Sequence, residues 1–357
     1  MKVVLIGVGQ AGGKVTQALA EFDYEMGFGA VTGAFAVNTA RSDLQELELD
    51  TMLIGQDRVK GHGVGGDNEL GAEIMQAEST EVMDELDQRI TSEVEGVMVV
   101  AGLGGGTGSG GAPALAKELQ RIYEVPIYVL GVLPGRDEGS IYQANAGRSL
   151  KTVAREADSA ILIDNDAWHE SGESVEEGYD HINEQIAQRI GLLLAAGEAV
   201  EGVAESVVDS SEIINTLREG GIACMGYATA EASEDPEENV NTITSITRNA
   251  LLTKMSLPDA VEAETALLVI AGDPERVSRK GVERARKWVE EETGSLQVRG
   301  GDFPLNSDRL GALVLLGGVE RSRRVEEFMD RAREAAETES QADPTDEFEN
   351  DDLEDLF

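Results

Sequence analysis

The chain has 357 residues, which favours two domains over one, and its 41% hydrophobic content is ample for globular packing. Acidic residues outnumber basic ones 69 to 29, and the resulting charge of −40 argues against nucleic acid and against anionic membrane surfaces as partners. The cations are mostly arginine, and acidity spread over the whole chain points to a high-salt cytoplasm, where counterions screen self-repulsion. Aromatic residues make up 4%, so the core is expected to be Val, Ile, Leu and Ala. Cys224 is the only cysteine, which removes intramolecular disulfides and cysteine metal clusters. His62, His169 and His181 show no metal-ligand spacing, so no metal ligands are assigned. The apolar runs fall short of the ~20 residues a membrane span needs. The chain opens on a strand without a signal-peptide pattern, and a soluble, cytoplasmic protein without membrane insertion is expected.

A strand over residues 2–7 leads to a helix over 12–21, then to strands over 34–38 and 52–54. A glycine-rich loop over 61–66 precedes a helix over 68–89. The apolar run over 96–103 reads as a buried strand, and the helix over 112–123 is expected to carry Pro113 in its first turn. A strand over 126–133, a helix over 142–157 and a strand over 160–164 complete an alternation of strand and helix. That pattern predicts a Rossmann-like α/β domain, a parallel sheet with helices on both faces.

From about 175 to 196, Val175, Tyr179, Ile182, Ile186, Ile190, Leu193 and Leu194 recur at three- and four-residue steps, which predicts a long central spine helix. Beyond it the pattern predicts a smaller α+β unit. Its elements are a strand over 222–229, an acidic loop over 231–239 and a helix over 242–254. A strand over 266–271, a helix over 278–292, strands over 296–299 and 312–316, and a helix over 325–336 follow. Residues 343–357 contain no Lys or Arg and read as a disordered tail. Leu353, Leu356 and Phe357 punctuate its acid, so a short motif for a protein partner stands beside the reading of a solvated tail.

Gly104-Gly105-Gly106-Thr107-Gly108-Ser109 lies between a strand and a helix, where backbone can approach a ligand and free N–H groups face an anion. Gly7-Val8-Gly9-Gln10-Ala11-Gly12 matches G-x-G-x-x-G, yet the second strand ends in Asn38-Thr39-Ala40 rather than in the acid that holds a ribose 2′-hydroxyl. Lys14 is followed by Val15, so a Walker A loop also fails. Three glycine-bearing loops, over 9–13, 61–66 and 104–111, fall at the carboxyl ends of strands in one sheet. Ligands bind at that edge, and the three together favour a nucleoside triphosphate.

With these loops in hand the chain resembles the tubulin/FtsZ superfamily. Residues 104–110 reproduce its G-G-G-T-G-S-G phosphate loop, and Gly9-Gln10-Ala11-Gly12 is similar to the tubulin form of the first loop. The acidity, the Lys60-Gly61-His62-Gly63-Val64-Gly65 loop and the acidic terminus ending in Leu-Phe resemble the haloarchaeal CetZ family. The resemblance implies a GTP-binding domain over 1–172, a spine helix over 173–198, a C-terminal α+β domain over 199–338 and a tail over 339–357. It implies that Gly9, Gln10, Ala11, Gly12, Gly13, Asn38, Gly65, Gly66, Gly104, Gly105, Gly106, Thr107, Gly108 and Ser109 bind GTP or GDP, with Mg²⁺ held through the phosphates. Glu138 resembles the acid that holds the ribose, and Asn165 the asparagine that contacts the base. Tyr179 resembles the aromatic that stacks on guanine and Asn183 the amide that bonds its edge. Residues four apart share a helix face, so that last pair is physically reasonable. The chain departs from the family at Tyr142, where FtsZ proteins carry arginine, and at Val207, where they carry asparagine.

Asp209 and Glu212 match the two carboxylates that polarise the attacking water, a role the family exerts on the neighbouring subunit's nucleotide. An acidic helix N-terminus favoured by the helix dipole is the competing account of the pair. The resemblance therefore implies a GTPase that assembles with itself head to tail into filaments and serves archaeal cell shape or motility. A GTP-binding regulator that does not polymerise stays open as the alternative, and a nicotinamide oxidoreductase rests on G-x-G-x-x-G alone. The acidic surface predicts loss of structure at low salt. Circular dichroism is expected to collapse between molar KCl and ~10 mM, where the Debye length reaches about 30 Å, and an unchanged spectrum refutes halophilic adaptation.

Overall fold

β1 (Val3–Val8) is apolar and wholly buried, so it takes a central place in the sheet. The computed structural model describes residues 1–168, 175–198 and 208–341. His169, Val207 and the acidic tail over 343–357 lie outside the described residues. β1 is flanked by β2 (Val31–Asn38) and β4 (Gly96–Gly102), with β3 (Asp50–Leu53) outside β2, and β5 (Ile127–Leu133) and β6 (Ser159–Asp164) beyond β4. All these neighbours pair in parallel, as the alternating pattern requires.

The sheet does not stop there. β7 (Ile222–Glu231) joins β6 through two residue pairs, Ala160 with Ile222 and Ile161 with Ala223. The strands then diverge, and Ser256 fills the gap. Its hydroxyl donates to Leu162 O at 2.7 Å and accepts from Met225 N at 3.0 Å. β10 (Arg309–Val319) lies antiparallel between β7 and β8 (Ala263–Gly272), and β9 (Gln297–Pro304) is the far edge. The result is one ten-stranded sheet, order β3-β2-β1-β4-β5-β6-β7-β10-β8-β9, running through both predicted units.

Helices cover both faces. α1 (Gly9–Met26), α8 (Val175–Ala196) and α9 (Ser210–Leu217) pack on one, around Leu5, Leu19, Ile186 and Leu193. α4 (Asn68–Ala77), α5 (Ser79–Asp87), α6 (Gly106–Gln120), α7 (Ser140–Glu156), α10 (Asn239–Thr253), α11 (Arg279–Thr293) and α12 (Arg323–Gln341) lie on the other. α2 (Arg41–Gln45) and α3 (Gln56–Val59) are short turns beside β3. Ile182, Ile186, Ile190, Leu193 and Leu194 form the buried stripe expected of α8, whereas Tyr179 is 41% exposed and leaves it.

Several boundaries differ from expectation for identifiable reasons. α1 begins at Gly9, three residues early, because Gly9 with φ 76° turns the chain straight from strand into helix. α6 begins at Gly106, inside the glycine run, so Pro113 falls in its middle rather than in its first turn. Those glycines permit helix–helix approach: a Cβ at Gly110 would land on Asn68 O and within 2.7 Å of Ala72 N, both in α4. The helix expected over 68–89 is broken at Glu78, whose side chain turns away to accept from Gly55 N at 2.8 Å. At Gly105, by contrast, a Cβ would meet nothing within 4 Å. Gly110→Ala is therefore expected to lower unfolding stability by about 2–3 kcal/mol through overpacking, while Gly105→Ala leaves the denaturant midpoint unchanged. Equal midpoints for the two variants would disprove the close α4–α6 contact.

Candidate functional site

β1 to β6 run the same way, so Val8, Asn38, Leu53, Gly102, Leu133 and Asp164 all end at one edge of the sheet. The expected phosphate loops assemble there. Gly9 and Gly108 meet backbone to backbone, a Cβ on Gly9 falling 3.0 Å from Gly108 N. This contact sets the N-termini of α1 and α6 side by side. Neither helix has a side-chain N-cap or an acid in its first turn. Their first-turn N–H groups, Gly9, Gln10 and Ala11 in one and Gly106, Thr107 and Gly108 in the other, thus lack the usual capping oxygen. Two such ends pointing the same way form an anion site of backbone dipoles.

Not every expected residue faces that site. A Cβ at Gly12 would strike Val100 O and one at Gly13 would lie 2.7 Å from Leu47 Cδ1, so both glycines let α1 close on its neighbours. Ser109 is buried in α6. The buried Asn38 side chain shapes its own turn, accepting from Thr39 N at 2.7 Å and Ala40 N at 3.2 Å and donating to Asp43 at 3.0 Å. Gly65 and Gly66 have φ of 59° and 90°, the conformation this tight loop demands.

Two residues that sequence reasoning missed hold the loops in place. Asn145, buried in α7, donates to Gly66 O at 2.7 Å and to Gly104 O at 3.0 Å, tying two phosphate loops together. Thr39 and Thr107 share a hydroxyl hydrogen bond of 2.7 Å, tying the end of β2 to α6. A buried amide on a polar helix stretch gives no sequence signal, because its value lies in carbonyls 41 and 79 residues away. Tyr142 sits over Gly104, a Cβ there being 3.2 Å from the tyrosine's own Cβ.

Beside the phosphate loops, Glu138, Asn165 and Tyr179 converge from three elements. Glu138 Oε1 accepts from Gly135 N at 2.7 Å and from Asn165 Nδ2 at 3.5 Å, and its charge acts on the Tyr179 phenol. Burial, and then the Glu138 charge, push the Tyr179 phenol up to about 12. Asn183 is half-buried one turn further along α8. An exposed aromatic face, an amide one turn away and a carboxylate beside them suit a planar base with an attached sugar.

Asp209 and Glu212 are not part of this group. α8 starts at the loop edge and runs 22 residues, about 30 Å at ~1.5 Å per residue, before the chain reaches α9. Ser210 Oγ donates to Glu95, which precedes β4, so the pair lies at the opposite edge of the sheet. Asp209 is the N-cap of α9, accepting from Glu212 N at 3.1 Å. The Ser211 hydroxyl holds the Asp209 carboxyl below its ordinary range, whereas burial and then the Asp209 charge hold Glu212 above it. The capping role is therefore real, and the environment pushes two neighbouring carboxylates in opposite directions. Among the described residues no three His, Cys, Asp or Glu side chains converge to hold a metal, and no helix is long and apolar enough to cross a membrane.

Comparison with known proteins places this geometry. The GTPase domain of the Tubulin/FtsZ family matches residues 2–173, and the C-terminal domain of tubulin-like CetZ matches residues 172–334. Tubulin-like protein CetZ2 of Haloferax volcanii is 68% identical over 360 residues, covering 100% of both chains. The structure of CetZ2 from Haloferax volcanii as a GTPγS-bound protofilament superposes with a TM-score of 0.92 at 67% identity, over 95% of this chain and 100% of that one. CetZ1 of the same organism, solved as a GDP-bound monomer, gives 0.87 at 50% identity, over 94% and 100%.

The split carboxylates make opposite stability predictions. Glu212 is raised in the folded chain, so its ionised form is penalised at all pH above its folded pKa, and the penalty vanishes as pH falls past its unfolded value. Glu212→Gln is therefore expected to melt higher than wild type at pH 7, the gap closing near about pH 4. Asp209→Ala is expected to lose about 1 kcal/mol of capping at neutral pH, a loss that shrinks in acid as the wild-type carboxylate protonates. Parallel pH–melting curves for both variants would contradict this assignment.

Proposed function

Because the chain belongs to the CetZ family of the tubulin/FtsZ superfamily, we propose that it binds and hydrolyses GTP at sites completed between subunits of a head-to-tail protofilament serving cell shape or motility. The observation that carries this reading is the separation of the two half-sites. The uncapped N-termini of α1 and α6 lie at one edge of the sheet, and Asp209 and Glu212 at the other, with the 22-residue α8 between them. A single chain cannot bring carboxylate to phosphate, whereas a translated second copy can. An open repeat of that translation is a filament. That CetZ2 from Haloferax volcanii forms a GTPγS-bound protofilament supports the filament part of this reading.

Exposed apolar side chains support the polarity. Among the described large hydrophobics that are exposed, all but Leu252 lie at the two edges. Ile141, Tyr142 and Tyr179 flank the loops. Tyr24, Met26, Ile122 and Leu296 lie where α1 and α6 end and β9 begins, at the α9 edge, Tyr24 and Leu296 being 86% and 95% exposed. In a surface this acidic, apolar residues gathered at the two ends suit burial by a second copy.

In the assigned roles, first-turn N–H groups of α1 and α6 and the Gly65–Gly66 turn bind the phosphates. Glu138 holds the ribose, Asn165 and Asn183 read the base, and Tyr179 stacks on it. A magnesium ion, held through the phosphates, would supply further charge neutralisation when bound. Glu212 of the adjoining copy accepts the proton of the attacking water while the fixed anion of Asp209 orients it. Phosphoryl transfer needs positioning and electrostatics, so contact alone switches turnover on.

Specific GTPase activity in high KCl is expected to rise with protein concentration and to track pelletable polymer. Glu212→Ala keeps GTP binding and loses turnover by roughly 10²-fold or more, the contribution typical of a positioned proton acceptor. Flat concentration dependence with no polymer would favour the non-polymerising regulator. Lost GTP binding in Glu212→Ala would make Glu212 structural.

A further inference from the structure

Arg324, in the first turn of α12, is 2% exposed and is the largest fully buried side chain of the described protein. Its guanidinium reaches segments 160 and 190 residues away. Nε donates to Asp164 at 3.1 Å, at the end of β6, and Nη2 donates to Pro134 O at 2.7 Å, just beyond β5. Nη2 also lies 3.6 Å from Asp166, Nη1 bonds Glu327 at 3.4 Å, and the plane stacks 4.2 Å over Phe328. Arg136 closes the network from outside, pairing with Asp166 at 3.1 Å and Glu327 at 3.3 Å, while its backbone N–H donates to Asp166.

The two loops gathered here are those that present Glu138 and Asn165. Asp164 accepts from Asp166 N and so shapes the turn carrying Asn165. Gly135, next to Pro134, donates to Glu138 and accepts from Gln143. One buried cation thus sets the spacing between the acid assigned to the ribose and the amide assigned to the base. Burying a charged network is a poor route to stability, since apolar residues of similar volume commonly do as well or better. What a fixed cation and its five-donor fork supply is geometry. α12 is seated for this by Gly147 of α7, where a Cβ would strike Phe328 O and lie 2.7 Å from Ala332 Cβ.

We propose that Arg324 is a positioning residue for the ribose- and base-reading loops, and that docking of α12 on α7 is thermodynamically coupled to guanine-nucleotide binding. The proposal rests on the GTPase reading above. Coupling is reciprocal, so bound nucleotide must in turn tighten α12.

The test compares wild type with Arg324→Met, Arg324→Lys and Gly147→Ala in molar KCl. GDP, which engages every loop, is titrated calorimetrically beside inorganic pyrophosphate, which engages the phosphate loops alone. Arg324→Met is expected to weaken GDP at least about tenfold, the worth of one charge-assisted hydrogen bond, with pyrophosphate unchanged. Lysine, which cannot span both partners, falls between. Gly147→Ala, which keeps every side chain of the ionic cluster but lifts α12 and Arg324 with it, shows the same selective loss. Hydrogen exchange over residues 323–337 slows when GDP binds wild type and not when it binds Arg324→Met. If Arg324→Met does not fold, Gly147→Ala and Glu327→Gln decide the matter by the same GDP-to-pyrophosphate ratio. GDP affinity within twofold of wild type in the folded variants, or equal losses for GDP and pyrophosphate, overturns the inference. Wild type that binds no GDP overturns the GTPase reading and this inference with it, whereas intact wild-type binding with unaltered variants overturns this inference alone.

Discussion

Everything at the loop edge depends on the close approach of the α1 and α6 N-termini. Backbone meets backbone at Gly9 and Gly108, with no side chain between. That contact aligns two sets of unpaired N–H groups in a chain carrying 40 excess negative charges, where lysine and arginine side chains are scarce. A polyanion is met by dipoles that cost nothing to orient at the moment of binding. The glycines around it do two jobs. Gly105 leaves open space, whereas Gly12, Gly108 and Gly110 let helices close on strands and on one another.

The same sheet dictates why the glycine loops and the Asp209–Glu212 pair lie apart. Parallel strands send every βα loop to one edge, and a helix of 22 residues must traverse the molecule before the chain emerges at the other. The carboxylates are thereby exiled from the loops. Their own environments then separate them, Asp209 fixed as an anion by Ser211 and Glu212 raised by burial. Their distance from the loops follows from topology rather than from any feature of the carboxylates themselves.

Continuity of the sheet through β6 and β7 joins what composition presents as two units. Ser256 bridges the strands where they part, and α12 returns from the far end of the chain to grip the loops after β5 and β6. The last helix and the loops after β5 and β6 thus share one network, which gives the C-terminal segment a physical route to the site.

By itself, the sequence determined the α/β alternation, the long spine and the glycine loops at strand ends, because these are signals of local period and backbone freedom. It also carried the Tyr179–Asn183 spacing, and exposure of Tyr179 against its buried stripe neighbours now supports a role outside the core. Only the tertiary structure decided where α6 begins, since a glycine run becomes helix when a neighbouring helix packs against it. It alone revealed Asn145, Thr39 and Arg324, whose partners lie 41 to 190 residues away in sequence. Hydrogen bonds over such separations leave no periodicity for a sequence to display, and they exist only once the sheet has brought the loop ends to one edge.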